Sequence, residues 1–467
     1  MDLEYDLFVI GSGPGGQKAA IQAAKLGRRV GLAERRRALG GVCVNTGTIP
    51  SKTIREAVIY LTGLSLRGMY GDGYRLKDEI RIEDLAERTR HVVERERGVI
   101  RDQLVRNHVA LLDGTARFLD ANTLAVTDHD GGERRVHADR IVIASGSEPA
   151  HPEGISFDGN TVLDSDDIVL RLTRIPRTLV VIGAGVIGIE FSSMFAALGT
   201  KVTVIDGRPE MLEFCDAEIV EALRYHLRDL GVTFRFGEVV TEVVQHDGGT
   251  LTTLGSGKQI AADAVFYSAG RRGATSELDL EAAGLQTDER GRIPVGPTYR
   301  TAAENIWAVG DVIGFPSLAS TSAEQGRLAS ADACGIEAHP SRDLPIGIFS
   351  IPEVGFVGKT ERQLTEAAIP YEVGISHYRE LARGQILSET HGMVKLLVAP
   401  AERTILGVHA LGAYATEVVH IGQAVMGLNG TIDFLVESVF NYPTLAEAYK
   451  VAALDAMNKL RAVSTFA

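Results

Sequence analysis

Cysteine is scarce: only Cys43, Cys215 and Cys334 occur in 467 residues. They lie far apart, with no CxxC pair, no His/Cys ligand spacing and no even-numbered framework, which argues against a disulfide scaffold or a structural zinc module. A reducing, cytoplasmic setting is expected. Positive charge is also in deficit, with 48 Lys and Arg against 61 Asp and Glu and a formal net charge of -13. Such a surface repels phosphate backbones and anionic lipid, so neither nucleic acid nor membrane is an expected partner. Acidic cofactors must then be held locally, by backbone amides and single arginines. Long apolar runs are nearly absent. The single stretch of bilayer length, TLVVIGAGVIGIEFSSMFAALG, carries Glu190 in its middle and several glycines, and reads better as strand, turn and helix. The opening MDLEYDLFVIGSG is acidic and enters a strand pattern directly, so no secretory signal is expected.

What is present is one pattern used twice. A chain with 45% hydrophobic and 23% charged residues can bury large cores, and its length suggests about three domains. YDLFVIGSGPGGQKAAIQAAKLGRRVGLAER begins with an apolar run, turns at Gly11, Gly13 and Gly16, and passes through alanine-rich helical spacing to a strand ending at Glu34. TLVVIGAGVIGIEFSSMFAALGTKVTVID repeats it with Gly183, Gly185, Gly188 and Asp206, and the glycine-to-acid spacings agree, 34 − 16 and 206 − 188 both being 18. In a dinucleotide-binding βαβ unit the first glycine permits a tight turn and the second lets backbone approach a pyrophosphate. The third lets helix lie close on strand, and the terminal carboxylate accepts ribose hydroxyls. Orphan N–H groups and the helix dipole hold the phosphates without a lysine. The expected fold is therefore α/β with two Rossmann-like, three-layer domains, and two sites in one chain suggest two different dinucleotides.

After the second unit, TAAENIWAVGDV leads to Asp311, and here the chain resembles the pyridine nucleotide–disulfide oxidoreductase family over nearly its whole length. The order of parts matches: fingerprint, loop 40–52, IVIASGSEP at 141–149, second fingerprint, SAGRR at 268–272, the Asp311 motif and a C-terminal domain from about residue 346. The resemblance implies an FAD-binding domain over 1–150 and 276–345, an NAD(P)-binding domain over 151–275, and an α+β dimerisation domain over 346–467. It implies FAD contacts from Gly11, Gly13, Pro14, Gly16, Glu34, Arg35, Gly41, Val42, Cys43, Thr48, Lys52, Gly114, Ala116, Ser145, Gly146 and Asp311. Gly114 and Ala116 would lie along the adenine and Asp311 on the ribityl chain. NAD(P) contacts would come from Gly183, Gly185, Ile187, Gly188, Glu190, Asp206, Arg208, Gly270 and Arg271, with Arg272 a further phosphate candidate. A homodimer is the minimum assembly, and a larger one is compatible.

TIPSKTIREAV reads as a helix start with Pro50 in the first turn, which places Lys52 in the positive end of a helix dipole. Family resemblance assigns Lys52 to the flavin and pairs it with Glu190, the two acting as catalytic groups. The plain alternative for Glu190 is dipole complementation early in its own helix.

Two departures from the family pattern matter. The disulfide-exchanging members carry cysteines at the positions of Cys43 and Thr48, and a threonine hydroxyl cannot form a disulfide. NYPTLAE has Tyr442 where they carry a histidine base, while Glu447 remains. Tyrosine, with an ordinary pKa of about 10, is a poor base at neutral pH. Cys43 then reads as a small buried hydrophobe beside the flavin, or alternatively as a one-thiol relay through a sulfenic acid. Asp206 favours NAD, and Arg208 two residues later suits the 2′-phosphate of NADP, so use of both is expected. Within the family the closest likeness is to the transhydrogenase branch, which carries the same Thr and Tyr-Pro-Thr. It implies ping-pong hydride transfer from NADPH through FAD to NAD⁺, and the reverse. A quinone or dye reductase, and a redox-sensing flavoprotein, are the alternatives. His409 and His420 read as core or interface residues, and no metal site is expected. Changing Thr48 to Cys alone should not create reduction of a disulfide substrate such as lipoamide while Tyr442 stands; efficient turnover by T48C would contradict this.

Overall fold

The computed structural model describes residues 3–71, 73–337, 339–340 and 343–466, apart from the side chains of 65 and 463–466. The chain packs as two compact units. One comprises Met1–Thr53, Ala86–Pro152 and Gly270–Ser341, the other Ile54–Leu85, Glu153–Ala269 and Arg342–Ala467.

The first unit is built on one sheet ordered Ala110–Asp113, Val30–Glu34, Leu3–Ile10, Glu133–Ile143, Thr123–Thr127, Thr115–Phe118, with Ile306–Ala308 also paired to Glu133–Ile143. Leu3–Ile10 is central and runs parallel to Val30–Glu34 and to Glu133–Ile143. Its side chains alternate between two cores. Leu7 and Val9 pack with Ala19, Ala20 and Ala23 of helix Pro14–Lys25, while Phe8 and Ile10 pack with Phe118, Leu124 and Ile306 on the other face. The alanine run in the helix has a cause: helix Ala319–Ala333 lies close enough that a Cβ on Gly326 would stand 2.0 Å from the carbonyl oxygen of Gly15.

The second unit carries a parallel sheet ordered Thr233–Phe236, Lys201–Asp206, Thr178–Ile182, Ala264–Tyr267, Val162–Leu163. A three-stranded antiparallel sheet, Val240–His246, Gly249–Leu254 and Gln259–Ala262, belongs to the same unit. So does an antiparallel sheet of five strands, Ile346–Ile348, Glu353–Gly358, Ile405–Gly412, Met393–Val398 and Glu372–His377. Helices Ala415–Gly427 and Glu447–Phe466 pack on this last sheet. The fold is thus two doubly wound α/β layers plus an α+β module, as the repeat and the resemblance imply. The run at 178–199 resolves into strand Thr178–Ile182 and helix Val186–Ala197, and none of the described helices is long and apolar enough to cross a membrane.

An internal ion cluster joins the parallel sheet's helix to the antiparallel module. Lys395 is fully buried, and its ammonium donates to Asp216 (2.8 Å), to Glu218 (2.8 Å) and to Glu361. These three carboxylates, the one group among the described residues spaced to share a metal ion, therefore already enclose a cation. Asp216 also caps helix Ala217–Asp229 by accepting the Glu218 N–H. Burial acts to lower the Lys395 ammonium's pKa, and the three carboxylates outweigh it and raise it. For Asp216 burial acts upward, and the charges of His409 and Lys395 hold the carboxyl below the usual range. Lys395→Met leaves a buried carboxylate uncompensated and should cost about 3 kcal/mol of unfolding free energy at pH 7. Because the Asp216 carboxyl is depressed, its part of that difference is present above about pH 4 and fades as pH falls below it. Denaturant titration at pH 7 and at about pH 2.5 measures both.

Candidate functional site

The two glycine turns are copies in three dimensions. Gly11 and Gly183 have φ of +101° and +106°, a region that glycine alone enters freely. A Cβ on Gly16 would stand 1.9 Å from the Gly11 oxygen, and one on Gly188 2.0 Å from the Gly183 oxygen. Gly13 and Gly185 differ: a Cβ there would meet nothing within 4 Å. Both are extended N-caps without a side-chain cap, ahead of helices Pro14–Lys25 and Val186–Ala197, with Pro14 at the first helical position and Ile187 half-buried in the first turn of the second. Uncapped N–H groups facing open space form an anion cradle.

Each acid closes its own turn. Glu34 Oε2 accepts from the Ser12 N–H (2.9 Å) and hydroxyl (2.5 Å), and Oε1 accepts from the Arg36 N–H (2.9 Å). Asp206 Oδ2 accepts from the Ala184 N–H (2.6 Å), and Oδ1 accepts from the Arg208 N–H (2.9 Å). The match extends to position: Ser12 and Ala184 each follow the first glycine, Arg36 and Arg208 each stand two residues beyond the acid. The difference is the third donor. In the first copy it is Ser12; in the second it is the Arg208 guanidinium, with Nε 3.0 Å from Oδ1 and Nη2 2.7 Å from Oδ2. Burial acts to raise the Asp206 carboxyl's pKa, and these donors, Arg208 first, bring it below the usual carboxylate range.

In the first unit the segment at 40–52 is not the loop expected from sequence. Gly41–Asn45 is a short helix and Thr48–Thr62 a longer one. Asn45 imposes the first: its amide donates to Leu39 (3.1 Å) and Gly41 (2.8 Å), and its carbonyl oxygen accepts from Arg97 Nε (2.8 Å) and Nη2 (2.6 Å). The Val42 carbonyl takes the N–H groups of both Thr46 and Gly47. Ser12 Oγ accepts the Gly40 N–H (2.9 Å), and a Cβ on Gly41 would come within 2.9 Å of Gly13 Cα, so this segment sits on the first turn. Helix Thr48–Thr62 starts two residues ahead of Pro50, which moves Lys52 into the second turn, where the dipole opposes it less. The Lys52 ammonium donates to Ser51 Oγ at 3.3 Å. Burial pushes the Cys43 thiol up, against a smaller downward pull from the neighbouring Thr48 side chain. Cys215, buried, is raised further for the same reason.

Opposite ends of the first-unit sequence meet at Ser147. Its hydroxyl donates to Asp311 Oδ2 (2.8 Å) and accepts from Arg271 Nε (2.9 Å), while Arg271 Nη2 donates to the Ser147 carbonyl (2.9 Å). Arg271, expected on a nucleotide phosphate, is thus bound to its own unit, and Arg272 pairs with Glu148 at 3.5 Å. Arg35 pairs with Glu277 at 3.2 Å. Gly146 and Gly270, both at positive φ, leave open space where a Cβ would project. Gly114 answers first to its neighbours, since a Cβ would strike the Thr127 oxygen at 2.4 Å, and the Ala116 side chain is buried in the sheet core. Among the hydroxyls buried without a partner in the described residues are Thr46 Oγ1 and Ser145 Oγ. Orphaned buried polar atoms beside an open glycine cradle are what a flavin dinucleotide's polar groups would satisfy, so the residues of the first unit fit FAD.

Glu190, in the second unit, is buried in the second turn of its helix and accepts the Phe349 N–H at 2.8 Å; Ser193 Oγ accepts the Ile351 N–H at 3.0 Å. Ser268 Oγ donates to the carbonyls of Ile182 and Gly183, both at 3.0 Å. His409 is buried with Nε2 2.9 Å from the Lys359 carbonyl, whereas His420, expected in a core or interface, is exposed in the protomer and meets Gln423. Ser12, Thr46, Ser147 and Ser268 escaped sequence reasoning, although Ser12, Ser147 and Ser268 lie inside the quoted motifs.

A doubled dinucleotide turn with an acid-closed first copy, a half-buried cysteine in a short helix beside it and an aspartate after a third strand define a flavin and nicotinamide oxidoreductase. The chain belongs to the pyridine nucleotide-disulphide oxidoreductase family, whose profile matches residues 5–326, with the family's dimerisation domain at 344–453. It is 60% identical over 465 residues to a protein of Mycobacterium bovis BCG named soluble pyridine nucleotide transhydrogenase, covering 99% of each chain. A protein of the same name from Erwinia tasmaniensis is 44% identical, covering 98% of this chain and 99% of its own. Among solved structures, the HOCl-induced flavoprotein disulfide reductase RclA of Escherichia coli superposes with a TM-score of 0.86 at 28% identity, covering 96% of this chain and 99% of that one.

With its thiol pushed above the ordinary cysteine range, Cys43 should be protonated at neutral pH. Iodoacetamide should alkylate it in the holoenzyme far more slowly than free cysteine at pH 7.5, with the rate climbing only above about pH 8.5. A rate above that of free cysteine and nearly independent of pH between about 6 and 7.5, with the site identified by peptide mass analysis, would show a thiolate and favour the relay reading.

Proposed function

We propose that this chain is an FAD-dependent transhydrogenase that moves hydride between NADPH and NAD⁺ in either direction. The carrying observation is that Thr48 stands beside Cys43 where a disulfide loop needs its second sulfur, while both dinucleotide turns are complete. The name shared by relatives 60% and 44% identical supports the same reaction. When bound, FAD supplies a hydride acceptor and donor that both nicotinamide couples can reach.

The Gly11–Gly16 turn binds the FAD pyrophosphate on uncapped N–H groups, and Glu34 faces its ribose. Asp311, oriented by Ser147, holds a hydroxylated chain, and Thr46 and Ser145 supply further polar contacts. The Gly183–Gly188 turn binds the nicotinamide dinucleotide's pyrophosphate, with Asp206 and Arg208 at its adenosine end. Lys52 and Glu190 act as the charged groups that orient the reacting rings, Glu190 being fixed by the Phe349 N–H. The sum NADPH + NAD⁺ ⇌ NADP⁺ + NADH releases no proton, so no general base is required. Tyr442 in place of a histidine is consistent with that balance.

Exposed apolar side chains on the C-terminal module, among them Tyr414, Leu428, Phe434 and Val439, support assembly as a homodimer through it. Free cysteines throughout the described residues fit a cytoplasmic setting.

Anaerobic mixing of the holoenzyme with NADPH and a thio-analogue of NAD⁺ should give transfer with parallel-line kinetics. No transfer would reject the proposal, and faster turnover with a quinone than with the analogue at equal NADPH would favour the reductase reading.

A further inference from the structure

The carboxylate of Asp206 is full. Each oxygen offers two lone-pair directions. Oδ1 is taken by the Arg208 N–H and Nε, and Oδ2 by the Ala184 N–H and Arg208 Nη2, at 2.6 to 3.0 Å. Two of the four donors are backbone and fixed. The Arg208 backbone is itself pinned, because its carbonyl accepts the Gly237 N–H at 3.1 Å and the Asp206 carbonyl accepts the Glu238 N–H at 3.2 Å. The other two donors are the guanidinium, on a side chain 44% exposed, so it can turn away while the backbone stays in place.

From this we infer that the Asp206–Arg208 ion pair is a displaceable cover that sets nucleotide choice. The inference rests on assigning the second turn to NAD(P). With the guanidinium on Asp206, no acceptor position is left for a ribose 2′-hydroxyl, and NAD(H) binds only by pushing Arg208 aside. NADP(H) brings a 2′-phosphate that draws the guanidinium onto itself, and the same arginine screens Asp206, which would otherwise repel that phosphate. One arginine thus opposes the unphosphorylated nucleotide and favours the phosphorylated one. A plain phosphate contact would do only the second.

The test uses adenosine-end probes, so its outcome is independent of hydride transfer. AMP and adenosine 2′,5′-bisphosphate are titrated calorimetrically into wild-type holoenzyme and the R208A variant. R208A should bind the bisphosphate roughly tenfold or more weakly. It should bind AMP about two- to fivefold more tightly, the range expected on release of a partly exposed ion pair. The D206N variant, which loses the carboxylate and frees the arginine, should move both ligands the opposite way. AMP affinity unchanged or weakened in R208A would overturn the cover, leaving Arg208 a phosphate contact or a turn residue. Wild-type enzyme that binds neither probe would overturn the site assignment itself. R208Q, which keeps the side chain's length, is used in the same way if R208A loses its folded circular-dichroism spectrum.

Discussion

The molecule depends on one close approach made twice, a carbonyl oxygen of the first glycine lying where the Cβ of the third would be. At 1.9 Å and 2.0 Å no side chain can be accommodated, so helix and strand meet at backbone distance. That proximity aims the uncapped helix ends at open space, and it brings the residue after the first glycine within reach of the acid on the next strand. Anion cradle, closing acid and helix packing are therefore one constraint. It is satisfied twice in one chain, on two separate sheets.

Sequence showed this much because the constraint is local. Glycines at fixed intervals and an acid 18 residues on need no knowledge of the rest of the chain. What escaped was made of long-range partners with no periodic trace. Ser147 works only because Asp311 and Arg271, 164 and 124 residues away, converge on it. The short helix Gly41–Asn45 follows from Asn45 and Arg97, and nothing in GGVCVN announces it. Asp206 and Arg208 could be named from the sequence, yet only geometry shows that they occupy each other.

Lys395 is a second feature with no trace in the sequence. It lies in the strand MVKLLV, all six of whose side chains are buried. The lysine lies inside because three carboxylates from two other elements surround it, and hydrophobic pattern cannot register a cation whose counter-charges come from elsewhere. Such a cluster fixes orientation between helix and sheet more than it adds stability, since a well-packed apolar substitute for the whole cluster would cost little.

The two copies differ in what sort of atom closes the acid. Behind the first turn the donor is the Ser12 hydroxyl, short, fully buried and shared with the Gly40 N–H. Behind the second it is a long side chain at the surface. The same turn is thus sealed from within in one copy and held shut from the surface in the other, by a serine and an arginine respectively.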